Sequence, residues 1–467
     1  MPSRRSYLTA LAAALAGCSA GPGTPGTDTP ADPTDTPADP TDTPTGPTES
    51  PTPDGPRQLP ADDPALAWAV RLPEVLEHPP AVDPDAGLVY VGGGENRITT
   101  PTPGGDAPRG SLDALDAEDG SVAWRTETDA PVVGSPVVHD GRVHVTTGRS
   151  TGYTGVDQRV RAYHAGGDRA WVTDPRGKFL EIVAAADGQL FVGTSDDALS
   201  HEGETLFAVG PDGSTAWSRE AGDARAGTVE EEHLLYSDAG VGLTAYDTQA
   251  GTELWQADGE PLGNHEAPVA TAGALCFTQA TERNDDGYPV VARLLSTGEE
   301  RWRFSTDPAG GENYVPVSVA DVSTDLGTTM ANPVVVTSLG GRVSYVRAGD
   351  ASWTFTADAD TPDGAVVGDG IYVGDETGTV YALDAGDGSV RWRASLPEPA
   401  AVQPLADGVL ATTPYNEGTR TVASFRHDGT ERWRYEADGT LYDPVAVGNR
   451  VYATKKDGTV LAFASDE

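Results

Sequence analysis

Short stretches of alternating apolar and polar residues recur along most of the chain, each bounded by Gly and Asp. One set runs through Ile371–Gly374, Gly378–Asp384 and Ser389–Trp392. Alternation with a period of two in short runs rich in Val and Tyr predicts half-buried β-strands. No stretch after residue 18 has the 3.6-residue period of a long amphipathic helix. The pattern therefore predicts an all-β fold.

The tryptophans show that these strands belong to a repeat. The nine tryptophans lie 38 to 56 residues apart, the length of one β-propeller blade with or without a loop insertion. Eight of them have a glycine four residues earlier, which predicts a hairpin turn at a positive φ followed by the last strand of a blade. The predicted structural residues are Gly120 and Trp124, Gly167 and Trp171, Gly213 and Trp217, Gly251 and Trp255, Gly298 and Trp302, Gly349 and Trp353, Gly388 and Trp392, Gly429 and Trp433, with Trp68 lacking a glycine.

The two ends of the repeat array complement each other. Trp68 has Pro64 in place of the glycine, so it is predicted to lie in a last strand without its own hairpin. The C-terminal unit has the opposite defect, because the chain stops soon after the strand Gly458–Phe463. The N-terminal strand is therefore predicted to complete the C-terminal blade and close the ring, which covers both sheet edges. This count gives nine four-stranded blades.

Three segments carry a family resemblance. Ala114–Trp124, Ala245–Trp255 and Ala382–Trp392 resemble the docking motif of pyrroloquinoline-quinone-like (PQQ-like) propeller repeats, and the resemblance extends from Trp68 to the C-terminus. The chain is similar to the propeller lipoproteins that act as outer-membrane assembly scaffolds. The resemblance implies that each Trp packs between adjacent blades. It also implies eight blades as the alternative count, since such propellers usually have eight.

The N-terminal segment predicts export and anchoring. Residues 1–18 read as a Tat-type lipoprotein signal: Arg4 and Arg5 precede the apolar stretch Leu8–Ala16, which is too short to span a bilayer. Leu15–Cys18 resembles a lipobox, in which Cys18 would receive the lipid. An ordinary cleaved signal is the alternative. The predicted location is extracytoplasmic, lipid-anchored on the cell membrane.

A linker and a propeller follow the signal. Residues 19–60 are rich in Thr, Pro and Asp and contain the repeat of Thr29–Asp35 at Thr36–Asp42, which predicts an extended, disordered linker. Residues 61–467 are predicted to form the propeller. The chain is expected to be a monomer.

Charge narrows the possible partners. The chain has 31 Lys and Arg against 72 Asp and Glu, a formal net charge of −41. Self-repulsion of this size destabilises a compact state unless salt screens it, and the screening length falls to about 3 Å at 1 M. The composition resembles that of halophilic archaea, so stability in concentrated salt is expected. A surface that attracts cations or basic partners is the alternative, and nucleic acid is excluded because no extensive basic patch exists.

Catalytic motifs are weak. The histidines are dispersed without metal-binding spacing, and Gly148–Gly152 matches Gly-X-Ser-X-Gly without the strand–turn–helix context of a nucleophile elbow. Cys276 lies in an apolar run and is predicted to be a buried small hydrophobe. No catalytic or metal-binding residue is predicted, and no cofactor is expected.

Loop insertions predict the binding face. They fall between the second and third strands of a blade, at the end of the ring that also holds the connections between blades. The insertions are Glu95–Arg109, Gly148–Gln158, Thr194–Gly203, Gln279–Tyr288 and Pro414–Thr419. Asp321–Asn332 falls between first and second strands and is expected on the opposite face.

Three functions are compatible with this pattern. The preferred one is a non-enzymatic binding or scaffolding module for proteins or other ligands. The resemblance also implies a quinoprotein dehydrogenase that uses PQQ and calcium, but the adjacent cysteine pair of those enzymes is missing, because Cys276 is the only cysteine after Cys18. A carbohydrate- or polymer-binding module would use Tyr153, Tyr288, Tyr314 and Tyr415 on the loop face.

Overall fold

All regular structure in the computed structural model is β-structure. Its 38 strands form nine antiparallel sheets, and it contains no helix among the residues that are described. These are residues 55–94, 109–150, 155–195, 205–221, 224–238, 242–257, 260–261, 271–272, 274–279, 289–306, 316–322, 333–361, 365–367, 370–413 and 420–464. The nine sheets are the blades of a β-propeller. The predicted all-β fold and the count of nine blades are confirmed, and the alternative of eight is excluded.

Each blade consists of strands that are consecutive in the chain, except at the ring closure. Blade 1 consists of β3 (Ala81–Asp83), β4 (Leu88–Gly93), β5 (Gly110–Asp116) and β6 (Val122–Thr128). Blade 2 consists of β7 (Val137–His139), β8 (Arg142–Ser150), β9 (Gly155–His164) and β10 (Arg169–Val172). Blade 3 consists of β11 (Phe179–Ala186), β12 (Gln189–Ser195), β13 (Thr205–Val209) and β14 (Thr215–Glu220). Blade 4 consists of β15 (Ala224–Glu230), β16 (His233–Asp238), β17 (Gly242–Asp247) and β18 (Glu253–Ala257). Blade 5 consists of β19 (Glu260–Pro261), β20 (Thr271–Ala272), β21 (Leu275–Gln279), β22 (Val290–Leu294) and β23 (Glu300–Phe304). Blade 6 consists of β24 (Pro316–Asp321), β25 (Val334–Ser338), β26 (Arg342–Arg347) and β27 (Asp350–Thr356). Blade 7 consists of β28 (Ala365–Val367), β29 (Ile371–Gly374), β30 (Thr379–Leu383) and β31 (Val390–Ser395). Blade 8 consists of β32 (Ala401–Leu405), β33 (Gly408–Thr412), β34 (Arg420–Arg426) and β35 (Glu431–Ala437). Blade 9 combines β36 (Val445–Val447), β37 (Arg450–Thr454) and β38 (Thr459–Phe463) with the N-terminal strands β1 (Arg57–Leu59) and β2 (Leu66–Arg71).

The antiparallel order fixes two faces of the ring. First strands of neighbouring blades contact each other, which places them at the centre. Strand direction alternates within each blade, so the turns between second and third strands lie at the same end as the connections between blades. We call this end the loop face. The opposite end, which holds the hairpins between third and fourth strands, is the hairpin face.

The N-terminal strand closes the ring as predicted. Strand β2 pairs antiparallel with β38, with Trp68 opposite Ala462, and becomes the last strand of blade 9. Strand β1 adds a fifth strand outside β2, with Arg57 opposite Arg71, so β-structure extends into the last residues of the segment predicted as linker. Arg71 also forms an ion pair of 2.7 Å with Asp457 in the turn between β37 and β38. The chain therefore enters the propeller at its loop face.

The repeated motif has a physical explanation in blade 1. Ala114 on β5 lies opposite Trp124 on β6 and is small enough to leave room beside the indole ring. The carboxylate of Asp116 accepts hydrogen bonds from the backbone N–H groups of Glu118 and Asp119, and so holds the hairpin in shape. Gly120 has a φ of +71°, and a Cβ there would lie 2.6 Å from the indole of Trp68 in blade 9. The glycine of one blade thus receives the tryptophan of the preceding blade.

The same contact joins blade to blade around the ring. Trp124 contacts Gly167, Trp171 Gly213, Trp217 Gly251, Trp255 Gly298, Trp302 Gly349, Trp353 Gly388, and Trp392 Gly429. Six of the nine indole N–H groups also donate to a carbonyl of the next hairpin, at 2.6 to 3.3 Å. Each tryptophan therefore joins one sheet to the next by an apolar contact, reinforced in most blades by a hydrogen bond.

The ninth tryptophan uses a different partner. Blade 9 has no hairpin before its last strand, because that strand comes from the other end of the chain. Trp433 instead stacks on Phe463, with ring centroids 4.8 Å apart and planes 10° from parallel. Tyr435 meets the same phenylalanine edge-on at 5.4 Å. Phe463 therefore takes the place of the glycine hairpin where the ring closes.

Most blades place an aromatic ring in the second strand, across the third strand from the tryptophan. These residues are Tyr90, Phe191, Phe277, Tyr372 and Tyr452, each with its ring 5.7 to 6.0 Å from the tryptophan of its own blade. Blade 2 has His144 there, 3% exposed and 5.6 Å from Trp171. Burial lowers the pKa of His144 to about 4. The structure thus holds a neutral imidazole where other blades hold a benzene or phenol ring.

Replacing His144 by Phe should remove a source of acid instability. The pKa of this histidine is lower in the folded chain, so unfolding takes up a proton below pH 6.5, and stability falls as the pH drops towards 4. The loss amounts to about 3 kcal/mol. We expect His144→Phe to match the wild type near pH 7 and to exceed it by about that amount at pH 4, measured as guanidinium unfolding in molar KCl.

The comparison with the wild type isolates the histidine from other titrating groups. Burial raises the pKa of Asp113 to about 6, which favours the folded state at low pH in both proteins equally. His164→Gln, in an exposed hairpin, is the control. A pH-independent difference between His144→Phe and the wild type would contradict the assignment.

Candidate functional site

The loop face carries the predicted insertions. Four of them, Glu95–Arg109, Thr194–Gly203, Gln279–Tyr288 and Pro414–Thr419, connect the second and third strands of blades 1, 3, 5 and 8, with most of their residues outside the described part of the chain. Asp321–Asn332 follows the first strand of blade 6 and therefore belongs to the opposite face, as expected.

Several predicted site residues cannot be placed in this way. Arg4, Arg5 and Cys18 lie outside the described residues, and so do the aromatic candidates Tyr153, Tyr288, Tyr314 and Tyr415. Among the residues that are described, no helix is long and apolar enough to cross a membrane.

Blade 2 differs from the prediction. Gly148–Gln158 was expected to be a loop insertion, but β8 continues to Ser150 and β9 begins at Gly155. Together they are the longest pair of strands that the structure describes, so blade 2 extends further than its neighbours on the loop face. The two segments continue as strands because their backbone groups pair, Arg149 with Val156 and Ser150 with Gly155.

A β-bulge lies within this extension. Thr147 pairs with Arg159 and Arg149 with Val156, so Gly148 faces both Asp157 and Gln158. Asp157 has a φ of +53°, and it is the one described non-glycine residue with a positive φ inside a strand pairing rather than at a turn. Such bulges bend a strand and redirect its side chains. An Asp tolerates this left-handed conformation better than most residues do.

The connection from blade 2 to blade 3 is fixed against β9. Thr173 donates its N–H to the Val160 carbonyl at 3.0 Å, and Arg176 and Gln158 exchange two backbone hydrogen bonds of 2.9 and 3.0 Å. Asp174 and Pro175 lie between these contacts. The bonds on either side hold this part of the connection in one position.

These segments border a shallow groove. Its walls are Gly155–Asp157 on one side and Pro175–Gly177 on the other, and its volume is about 370 Å³. We call it the blade 2 groove. Gly177 has open space where a side chain would extend, since no atom lies within 4 Å of an added Cβ. The groove is open on the Gly177 side, whereas Gly155 packs against the backbone of Lys178, 2.5 Å from the site of an added Cβ.

Arg176 is the distinctive residue of the groove. Its guanidinium lies 3.9 Å from the ring centre of Phe207, a buried residue of blade 3. Burial lowers the pKa of Arg176, although the nearby Asp174 acts in the opposite direction. No ion pair of Arg176 with a carboxylate is found among the described residues.

Three other arginines of the ring have carboxylate partners. Arg125 contacts both Glu74 and the buried Asp113, Arg161 contacts Asp129, and Arg420 contacts Asp443. In each case the carboxylate belongs to a connection between blades or to a neighbouring strand. These pairs hold the connections onto the blades. The cation of Arg176 has no such role.

Two other charged residues at the groove pair with each other. Arg149 forms a 3.0 Å ion pair with Asp157, which offsets the negative charge on the groove wall. Gln158 is fully buried and donates to the Arg149 carbonyl at 2.9 Å. Its side-chain oxygen has no hydrogen-bond partner among the described residues.

One feature of the sequence, a local cluster of cationic residues, could have indicated this site. Arg149, Arg159, Arg161, Arg176 and Lys178 lie within 30 residues of a chain that has only 31 cations in all. This local density departs from the acidity of the rest of the chain. The sequence could not show which of these cations are paired, because the carboxylate partners come from distant segments.

The described residues offer little for covalent or metal chemistry. No group of three or more His, Cys, Asp or Glu side chains is placed to hold a metal ion within the described ranges. Cys276 is fully buried, and burial raises the pKa of its thiol to about 12, which leaves it unreactive as a nucleophile. The arrangement at the blade 2 groove can bind an anionic group through Arg176.

Known proteins similar to this chain are propellers or contain a matching region. Serine/threonine-protein kinase AfsK of Streptomyces coelicolor is 28% identical over 357 residues, which are 76% of this chain and 40% of the kinase. Outer membrane protein assembly factor BamB of Burkholderia pseudomallei is 31% identical over 100 residues, 21% of this chain and 26% of that protein. The chain thus spans less than half the length of either relative.

The family comparison covers the repeat array. The crystal structure of BamB from Moraxella catarrhalis matches 89% of this chain and 98% of its own, with a TM-score of 0.39 and 16% identity. The family described as outer membrane protein assembly factor BamB matches residues 58–159, 156–394, 340–413 and 376–467. These matches cover the whole ring from β1 to β38, and the chain belongs to this family of PQQ-like β-propeller repeats.

Proposed function

We propose that this protein is a lipid-anchored, extracytoplasmic propeller that binds or scaffolds other proteins through its loop face. The observation that carries the proposal is the concentration of long connections and of the groove at one end of the ring. Four insertions and the blade 2 groove share the loop face, whereas eight hairpins of the opposite face serve blade docking. Loops on a rigid scaffold are the usual location of binding residues.

The entry point of the chain supports this orientation. Strand β1 starts at the loop face, so a tether that ends at Cys18 would join the ring at the same end as the insertions. Membership of the BamB family supports a role in protein assembly, since that name describes an outer membrane assembly factor. The partner itself would then lie near the anchoring membrane.

The quinoprotein alternative fits the described residues poorly. Calcium takes six to eight oxygen ligands, carboxylates prominent among them, and no group of three or more His, Cys, Asp or Glu side chains is placed to hold an ion in the described part of the chain. The single buried Cys276 cannot form a disulfide with an adjacent cysteine. We therefore propose no step through a quinone.

Site-specific photo-cross-linking would test the scaffold function. A cross-linking side chain at the exposed Asp174 on the loop face should capture membrane proteins from native membranes in molar salt, and the same group at the exposed Asp187 on the hairpin face should not. Equal capture from both faces would contradict the proposal. A stoichiometric quinone complex after addition of PQQ and calcium, measured by absorbance, would replace it with the enzyme alternative.

A further inference from the structure

We propose that the blade 2 groove binds an extended acidic peptide segment of the partner, with Arg176 pairing to one of its carboxylates. This inference rests on the proposed function of the loop face and gives it a specific site. It adds a residue, a location and a chemical class of ligand that the family resemblance does not supply.

The first argument is the state of the Arg176 cation. Removing a guanidinium from water costs free energy unless a partner compensates. The described residues give Arg176 the face of Phe207 and no carboxylate within ion-pair distance, whereas Arg125, Arg161 and Arg420 have such partners. A carboxylate from a ligand would give Arg176 an ion pair, and a guanidinium can donate two parallel hydrogen bonds to it.

The second argument is the neutralisation of the acidic groove wall. Asp157 would repel an acidic ligand, but Arg149 pairs with it at 3.0 Å. The bulge and the positive φ of Asp157 place this carboxylate where Arg149 can reach it. Backbone strain of this kind persists only where the surrounding structure enforces it, and it often occurs at binding sites. Of the two charged residues that line the groove, Asp157 thus has an ion pair and Arg176 has none among the described residues.

The third argument is the space available to a peptide. A Cβ on Gly177 would meet no atom within 4 Å, whereas a Cβ on Gly155 would lie 2.5 Å from the backbone of Lys178. The room for a ligand therefore lies on the Gly177 side of the groove, where a backbone segment can approach closely because there is no side chain. An extended acidic strand fits this shape better than a folded surface does.

The net charge of −41 does not prevent this binding in concentrated salt. At 1 M ionic strength the screening length of about 3 Å suppresses repulsion across the surface. An ion pair in direct contact is screened much less, particularly beside an aromatic ring. The groove would therefore select acidic ligands by contact rather than by long-range attraction.

The test uses a short fluorescent peptide with a central run of Asp and Glu and an amidated C-terminus, titrated with the full chain in molar KCl. We expect saturable binding by fluorescence anisotropy, and none for the matched Asn and Gln peptide. Arg176→Gln should weaken binding about tenfold or more, the effect of losing a charge-assisted contact. Gly177→Leu should weaken it similarly by filling the groove, without strain because Gly177 has no positive φ.

The matched control is Arg303→Gln. Arg303 lies on the outer strand of blade 5 and pairs with Glu300 at 2.6 Å. Its substitution changes the net charge by the same amount as Arg176→Gln, but far from the blade 2 groove. The inference is overturned by absence of binding to the wild type, by equal binding of the neutral peptide, or by equal losses from Arg176→Gln and Arg303→Gln. Competition by inorganic phosphate at equal charge would indicate a general anion site instead of a peptide site. Cross-linking from Asp174 distinguishes the two proposals, because it can succeed even if acidic peptides do not bind.

Discussion

Gly298→Ala is expected to destabilise the propeller by about 3 kcal/mol. The residue has a φ of +71°, and an added Cβ would lie 2.6 Å from the indole of Trp255 in the preceding blade. The left-handed conformation costs a side chain about 1–2 kcal/mol, and overpacking a buried contact adds about 1–3 kcal/mol. Displacing the ring would also break the 2.7 Å hydrogen bond from Trp255 to the Leu295 carbonyl. Guanidinium denaturation in molar KCl would measure the loss.

Gly439→Ala separates the two contributions. Gly439 has a φ of +75° and no atom within 4 Å of an added Cβ, so its substitution carries the backbone strain without the clash. We expect a loss of about 1 kcal/mol. The excess at Gly298 then measures the tryptophan contact between blades. Equal losses at both positions would show that the glycines serve only as turn residues.

This contact explains why the fold could be predicted from sequence. The spacing of Gly388 and Trp392 within one motif is local, yet each residue touches a different neighbour in the ring. Gly388 receives Trp353, and Trp392 reaches the next hairpin. A closed ring needs this contact at every junction, so the motif recurs once per blade and reveals the blade count.

Two exceptions to the repeated motif could not be predicted from the sequence. Phe463 replaces a glycine hairpin at the closure, but nothing in its local sequence distinguishes it from any apolar strand residue. His144 occupies an aromatic position, a substitution that becomes visible only when the blades are aligned by register. Both residues depend on contacts between strands that are distant in the chain.

The candidate site was predicted only as a face of the ring. Alternation and Trp spacing indicate where loops emerge, because the direction of each strand follows from its order in the blade. The blade 2 groove depends on a bulge that pairs Arg149 with Val156 and on a connection that pairs Gln158 with Arg176. Whether a given arginine meets a carboxylate is decided by such pairings. The sequence therefore predicted that the site lies on the loop face, but it did not identify Arg176.

Phe463→Ala should weaken the ring at its closure and expose the N-terminal strand. The side chain is 2% exposed and packs against Trp433 and Tyr435, so its removal should cost about 3–5 kcal/mol. The loss falls at the junction where β2 pairs with β38, and no covalent hairpin joins these two strands. Local opening of β1 and β2 should therefore become easier than opening of any blade made from one continuous segment. Hydrogen exchange of the backbone amides in Leu66–Arg71 should accelerate before that of other strands.

Phe425→Ala is the matched control for this effect. Phe425 is also 2% exposed, packs 6.0 Å from Trp392, and lies in blade 8, whose four strands are continuous in the chain. It should lower global stability by a comparable amount without selective exchange at β2. If Phe463→Ala left the amides of β2 as protected as those of β34, the pairing of β2 with β38 would not depend on the Trp433–Phe463 contact. Selective exchange at β2 would instead show that the contact of Trp433 with Phe463 holds the N-terminal strand in place. That contact would then have the same role at the closure as the tryptophan–glycine contacts have between the other blades.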